Sequence, residues 1–186
     1  IKFVCVALVF YQLYTTTFGV LEPLKHRSVH VAFILVLSFL IYPVRKKSEK
    51  LRKYVHFSDI ALAVASIVPV TYLFLQYDRI INRIELVSPL TTMDILVGAM
   101  LILLIIEATR RVVGLPLVIV GLFFILYALF GKMLPSGPFW HRGLSITQLI
   151  DQLTMTLGGI FTTPIAVVST YIFNFILFGA FLVKTG

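Results

Sequence analysis

Charge is what this sequence has least of. Only 13% of its 186 residues are Asp, Glu, Lys or Arg, while 59% are hydrophobic. A soluble domain carries about 25% charged residues, so a fold with a solvated surface on every side is excluded. Cysteine is reduced to Cys5, which rules out an internal disulfide and a thiolate metal site and leaves a small lipid-facing or packing residue. The chain contains no Gly-rich phosphate loop, no Walker Lys-Ser/Thr pair and no HExxH. It therefore reads as a non-enzyme, with no catalytic residue, no metal ligands and no ATP-driven chemistry of its own. Carboxylates are few: Glu22, Glu49, Asp59, Asp78, Glu85, Asp94, Glu107 and Asp151. All fall at the ends of apolar runs or in surface segments, so no proton relay through a membrane centre is expected. The net charge of +8 does not imply nucleic acid, because the basic residues stand between apolar runs and form no recognition face.

Long apolar runs are what the chain does have. The stretch 94–131 is apolar except for Glu107-Ala-Thr-Arg-Arg111 and Gly114-Leu-Pro116 in its middle. As one helix it would be about 57 Å long at about 1.5 Å per residue, against a bilayer core of about 30 Å. It is two spans joined at a membrane surface. The same pattern repeats along the chain and predicts an all-α polytopic membrane protein with about six transmembrane helices and one amphipathic interfacial helix. The spans are roughly 2–21, 28–44, 58–77, 91–111, 112–131 and 160–183. Glu22-Pro23 ends the first, with Lys25, His26 and Arg27 as a short joint; His30 reads as an interfacial hydrogen-bonding residue. Pro69 is expected to kink the third span, Ser58 to cap it, and Thr91 or Thr92 to cap the fourth. Pro135, Gly137, Pro138, Trp140 and His141 mark a surface loop. Residues 145–157 place Ile146, Leu149, Ile150, Leu153 and Leu157 on one face behind a Ser145/Gln148 capping box, too short and polar to span.

Lys and Arg set the orientation. With the N-terminus inside, the cytoplasmic side carries Lys2, six basic residues of 45–53, Arg110, Arg111 and Lys184; the outer side carries Lys25, Arg27, Arg79, Arg83, Lys132 and Arg142. The excess lies inside, as topology rules require. The run 45–53 could also meet anionic lipid head groups.

Two groups carry possible function. In the last span Thr163, Thr170 and Asn174 share a face beside Ser169. Such side chains bind neighbouring helices or line a path for substrate or ions, and Thr170 and Asn174 are the substrate-site candidates. Glu107, Arg110 and Arg111 read either as a charged helix end anchored in the interface or as a latch between helices, with Gly114 and Pro116 opening the next helix.

Asp94, Glu107-Ala-Thr-Arg-Arg-Val-Val-Gly-Leu-Pro116, Leu126-Tyr-Ala-Leu-Phe-Gly131, Gly159-Ile-Phe-Thr-Thr-Pro164 and Phe178-Gly-Ala-Phe-Leu-Val-Lys-Thr-Gly186 follow one another in an order that resembles the fused permease of TRAP (tripartite ATP-independent periplasmic) transporters. The likeness is to the TAXI-associated branch. It implies that 1–111 is the small four-helix membrane part and that 112–186 begins the large transport part. Gly114-Leu-Pro116 then resembles that part's opening Gly-x-Pro. The family's substrate and sodium segments would lie beyond Gly186, so both ends read as cut and no sodium ligand carries over. Thr162 stands where the family often has Gly. The resemblance implies a sodium-coupled secondary transporter of the bacterial or archaeal inner membrane, with sodium as coupling ion and no other cofactor. It would take up organic acids from a periplasmic TAXI-type solute-binding protein. Its further partners would be the bilayer and the rest of the permease, and no nucleic acid. The alternative is a small membrane scaffold or assembly subunit that does not transport.

Overall fold

The computed structural model describes residues 1–19, 21–43, 57–133 and 137–186, and every regular element among them is helical. The basic run 45–53, the end of the second span at 44, and Pro135 lie outside the described residues. In chain order the helices are α1 (Lys2–Phe18), α2 (Pro23–Ile41), α3 (Phe57–Leu75), the one-turn α4 (Tyr77–Ile81), α5 (Thr92–Val112), α6 (Leu115–Phe130), α7 (Ile146–Ile150) and α8 (Thr163–Thr185). Helices satisfy their backbone amides internally, which is what an apolar chain needs in lipid.

Five of these helices are long and apolar enough to cross a membrane: α2, α3, α5, α6 extended to Met133, and α8. α1 has 17 residues and is apolar but shorter. The expected polytopic helical architecture is thus present, with five full-length spans and one short apolar helix rather than six equal ones.

Proline moves several boundaries. Pro23 opens α2 instead of merely ending α1, because proline at the first helical position loses no hydrogen bond and already has helical φ. Lys25, His26 and Arg27 are therefore helical, not a joint. Pro164 likewise opens α8, so that helix starts at Thr163 and not at Ile160. Pro69 acts one turn upstream: α3 breaks at Ser66 between Phe57–Ala65 and Ile67–Leu75. The proline ring excludes the carbonyl four residues back, that of Ala65. The Ser66 hydroxyl donates to the Leu62 carbonyl at 2.8 Å and steadies the break.

Capping boxes close two helix starts. Thr91 and Asp94 cap α5 reciprocally, and Ser145 and Gln148 cap α7. Ser58 lies inside α3, one residue after its start. The amphipathic segment stops being α-helical at Ile150 and continues as a π turn, Asp151–Met155. A second π turn, Val168–Ile172, interrupts α8.

α2 is the hub. It touches α1, α3, α5 and α8, and Leu24, Val31, Leu35 and Phe39 are buried there against Leu73, Leu101, Leu104 and Phe161. In an 18-residue apolar window of α2 39% of residues are buried, against 6% in α6 and 6% in α8. The segment after α7 lies on α5, where Gly98 lets Ile150 and Thr154 approach; a Cβ at Gly98 would stand 2.5 Å from Ile150 Cγ2. α6 rests on α5 and α7, and α8 on α1 and α2. Contacts therefore run across the boundary between 1–111 and 112–186.

Candidate functional site

Two features stand out: charge locks at both ends of the bundle, and a pocket where α8 meets α1 and α2.

The first lock forms where α2 and α5 end and α3 begins. Arg111, its side chain only 4% exposed, donates from Nη1 to Asp59 Oδ1 at 2.7 Å and from Nε to Glu107 Oε1 at 2.7 Å. The same Nη1 reaches the Tyr42 carbonyl at 3.3 Å, and the guanidinium lies over the Phe39 ring, 4.9 Å from its centroid. One arginine thus ties α5 to both α2 and α3. Arg110 makes two 2.8 Å hydrogen bonds to Glu107 but stays on its own helix, 46% exposed. Gly114 follows with φ +111 and caps α6, with Pro116 in that helix's first turn. A side chain at 114 would be strained at that φ, so glycine is what allows the chain to turn out of α5 and into α6.

At the opposite end, Asp94 is 1% exposed and receives hydrogen bonds from Arg79 at 2.6 and 3.0 Å, from the Tyr72 hydroxyl at 2.7 Å and from Thr91. The bond to Asp94 is the main cause raising the Arg79 pKa above its ordinary value. Arg83 pairs with Asp151, whose other oxygen accepts the Leu86 N–H at 3.0 Å. That contact holds Leu86 at φ +60, an uncommon conformation for a branched side chain. Lys25 sits 4.1 Å from the Tyr77 ring centroid and 3.0 Å from Glu22, whose carboxyl it holds below the usual range by hydrogen bonding.

Asp59, Asp94 and Asp151 are thus buried, not surface carboxylates, and each has an arginine. Sequence reasoning placed them near span ends and missed their partners. The pairs Arg111–Asp59, Arg79–Asp94 and Arg83–Asp151 are 52, 15 and 68 residues apart, beyond any helical spacing rule.

The pocket holds about 480 Å³. It is lined by Gln12, Thr15 and Thr16 of α1, His26 of α2, and Thr170 and Asn174 of α8, with the exposed rings of Tyr171, Phe175 and Phe178. Both substrate-site candidates, Thr170 and Asn174, are therefore brought together with α1 residues that sequence reasoning did not select. The missed signal was Gln12 and Thr15-Thr16, polar residues within an otherwise apolar run. Thr163 is exposed and does not line the pocket.

Ser169, fully buried within the π turn, is the anchor. Its carbonyl accepts from Gln12 Nε2 and from His26 Nε2, the latter at 3.3 Å. A carbonyl only accepts, so His26 carries its hydrogen on Nε2, and in the neutral ring Nδ1 accepts from the Tyr11 hydroxyl at 3.1 Å. Asn174 Nδ2 donates to Thr16 Oγ1 at 2.9 Å and to the Thr170 carbonyl at 2.6 Å. His30, one turn after His26, is 1% exposed; its two ring nitrogens have no partner among the described residues, and the ring meets Phe173 edge-on at 6.2 Å. It is not an interfacial hydrogen-bonding residue. α2 starts at Pro23, five residues earlier than expected, which carries His30 into the bundle.

Comparison with family models, with curated proteins and with solved structures finds no match for this chain.

Proposed function

We propose that these residues form the scaffold-bearing first part of a sodium-coupled secondary permease of the TRAP class, the TAXI-associated branch. It would take up organic acids or carboxylates handed over by a periplasmic solute-binding protein, in the cytoplasmic membrane and with the N-terminus inside. The motif order from Asp94 to Gly186 supports the family.

One structural observation supports the mechanism. α3 and α5 are locked by the buried Arg111–Asp59 pair, and the same arginine reaches the Tyr42 carbonyl at the end of α2 and the Phe39 ring, whereas α6 and α8 bury only 6% of their 18-residue apolar windows. A transporter that carries substrate by moving one helical body against another needs a brace that does not deform and helices whose outer faces are open to lipid or to further helices. α2, α3 and α5 suit the brace. α6 and α8 suit the start of the mover, and the turn at Gly114, between α5 and α6, is the seam. Sodium and the organic acid are both substrates in this reading.

Proteoliposomes containing the whole polypeptide that carries these residues, an inward sodium gradient and a binding protein loaded with labelled organic acid are expected to accumulate label. Residues 1–186 alone are expected to accumulate none. Uptake that is indifferent to sodium, or uptake by 1–186 alone, contradicts the proposal. The second reading, a non-transporting scaffold or assembly subunit, draws on the same exposed faces of α6 and α8. It predicts no uptake by any form of the protein.

A further inference from the structure

After the turn at Gly114, α6 runs back beside α5 without filling the space between them. A groove of about 450 Å³ is left, walled by α5 from Ile102 to Thr109 and by α6 from Leu117 to Ala128. Leu149 and Leu153 stand at its far end, on the segment that lies against α5 at Gly98. Apart from Thr109 and Gly121, every side chain that lines it is hydrocarbon.

The dimensions limit the occupant. From Leu117 to Ala128 is about 16 Å at about 1.5 Å per residue. The hydrocarbon core of a bilayer is about 30 Å thick, so the groove is as long as one leaflet is deep. A volume of 450 Å³ over that length is a channel about 6 Å wide. A helix with its side chains is about 10 Å across, so neither a second copy of the chain nor another span can enter. A single hydrocarbon chain can. Gly121 makes the width, since a Cβ there would meet no atom within 4 Å. The long side faces lipid, where Leu117, Leu122 and Phe124 are exposed.

The end nearest Gly114 is polar. Thr109 is half-buried, and its hydroxyl makes no hydrogen bond among the described residues, whereas Ser38, Thr71 and Thr170 each donate back to their own helix. Beside it Arg110 is 46% exposed. Its Nε and Nη2 donate to Glu107, and its Nη1 has no acceptor among the described residues. A cationic N–H edge and a hydroxyl thus stand at the mouth, with hydrocarbon behind them. Arginine N–H groups form charge-assisted bonds to phosphate, so the charge at the mouth complements a lipid that carries one.

We propose that this groove holds one acyl chain of a membrane phospholipid, with the phosphate at Arg110 Nη1 and the ester end at the Thr109 hydroxyl. The site needs only α5, α6 and the segment after α7, and it is independent of the transport reading.

Photolabelling tests it. The purified chain is reconstituted in vesicles of equal parts phosphatidylglycerol and phosphatidylcholine, with a trace of phosphatidylglycerol that carries a diazirine at the end of one acyl chain. Adducts are mapped by mass spectrometry after irradiation. They are expected to concentrate on Ala128, Leu149 and Leu153, about tenfold above the exposed face of α8, as a preference of one decade requires. Gly121→Leu fills the channel where nothing stands, and is expected to remove these adducts without lowering the unfolding midpoint. Arg110→Gln is expected to reduce them about tenfold, the worth of one charge-assisted hydrogen bond, and serves if Gly121→Leu lowers yield. Loss in Gly121→Leu with no change in Arg110→Gln supports the chain site and overturns the phosphate contact. Adducts spread evenly over α6 and α8, or unchanged in both variants, overturn the proposal and leave only the surrounding lipid. So does a benzophenone side chain introduced at Phe124 that crosslinks to a second copy of the chain and not to lipid.

Discussion

Arg110 and Arg111 are neighbours with opposite roles. Arg111 is sandwiched between Asp59, Glu107 and the Phe39 ring, while Arg110 only doubles back to Glu107 at the surface. Removing one partner of a buried pair strands the other charge and costs about 3–5 kcal/mol. An exposed pair on one helix is worth at most about 1 kcal/mol. Arg111→Ala is therefore expected to lower the unfolding midpoint and membrane yield sharply, and Arg110→Ala to leave both nearly unchanged; thermal unfolding in detergent checks this. Equal effects would contradict the difference in burial. At this scale the sequence was legible wherever partners are local. The Glu107–Arg110 and Glu107–Arg111 spacings and the Thr91/Asp94 cap follow from helix geometry alone. The Asp59 partner of Arg111 does not, because it depends on how α3 is laid beside α5. The candidates Thr170 and Asn174 were visible as polar residues in an apolar helix, but Gln12 and His26 join them only through the fold.

Elements here are shaped by what lets them approach. Gly98 allows the π turn Asp151–Met155 onto α5, with the Thr154 Oγ1 only 2.6 Å from where a Cβ would lie. Both atoms belong to helical segments, so neither side yields easily. Gly98→Ala is expected to cost about 1–3 kcal/mol as overpacking, and Gly98→Leu to detach 146–155 from α5. Hydrogen exchange of amides 149–155 checks this: rapid exchange in Gly98→Leu is expected, and unchanged protection would contradict the contact. Helix existence and order were readable from apolar length, and the Ser145/Gln148 cap from its motif. Two things were not. In the sequence Pro23 looks like a stop and the last span looks as if it begins at 160, although the proline ring is favoured at the first turn of a helix and opens both α2 and α8. The π turns leave the apolar pattern unaltered, so nothing in residue spacing announces them.

At the scale of the molecule, α2 is held by α1, α3, α5 and α8, while α6 and α8 present their apolar faces outward. The locks sit at opposite ends: Tyr42, Asp59 and Arg111 at one, Arg79, Asp94 and Asp151 at the other. This separation by a helix length follows from apolar spans of about 30 Å between charged joints. The proposed brace needs the helices to be threaded through a bilayer in that alternation. Site-directed thiol labelling tests it most directly. With Cys5→Ser as background, single cysteines at Tyr42, Asn82, Arg110 and Phe139 are exposed to a membrane-impermeant reagent on one side of oriented vesicles. Tyr42→Cys and Arg110→Cys are expected to react from one side, and Asn82→Cys and Phe139→Cys only from the other; labelling of Tyr42→Cys and Asn82→Cys from the same side would contradict the account.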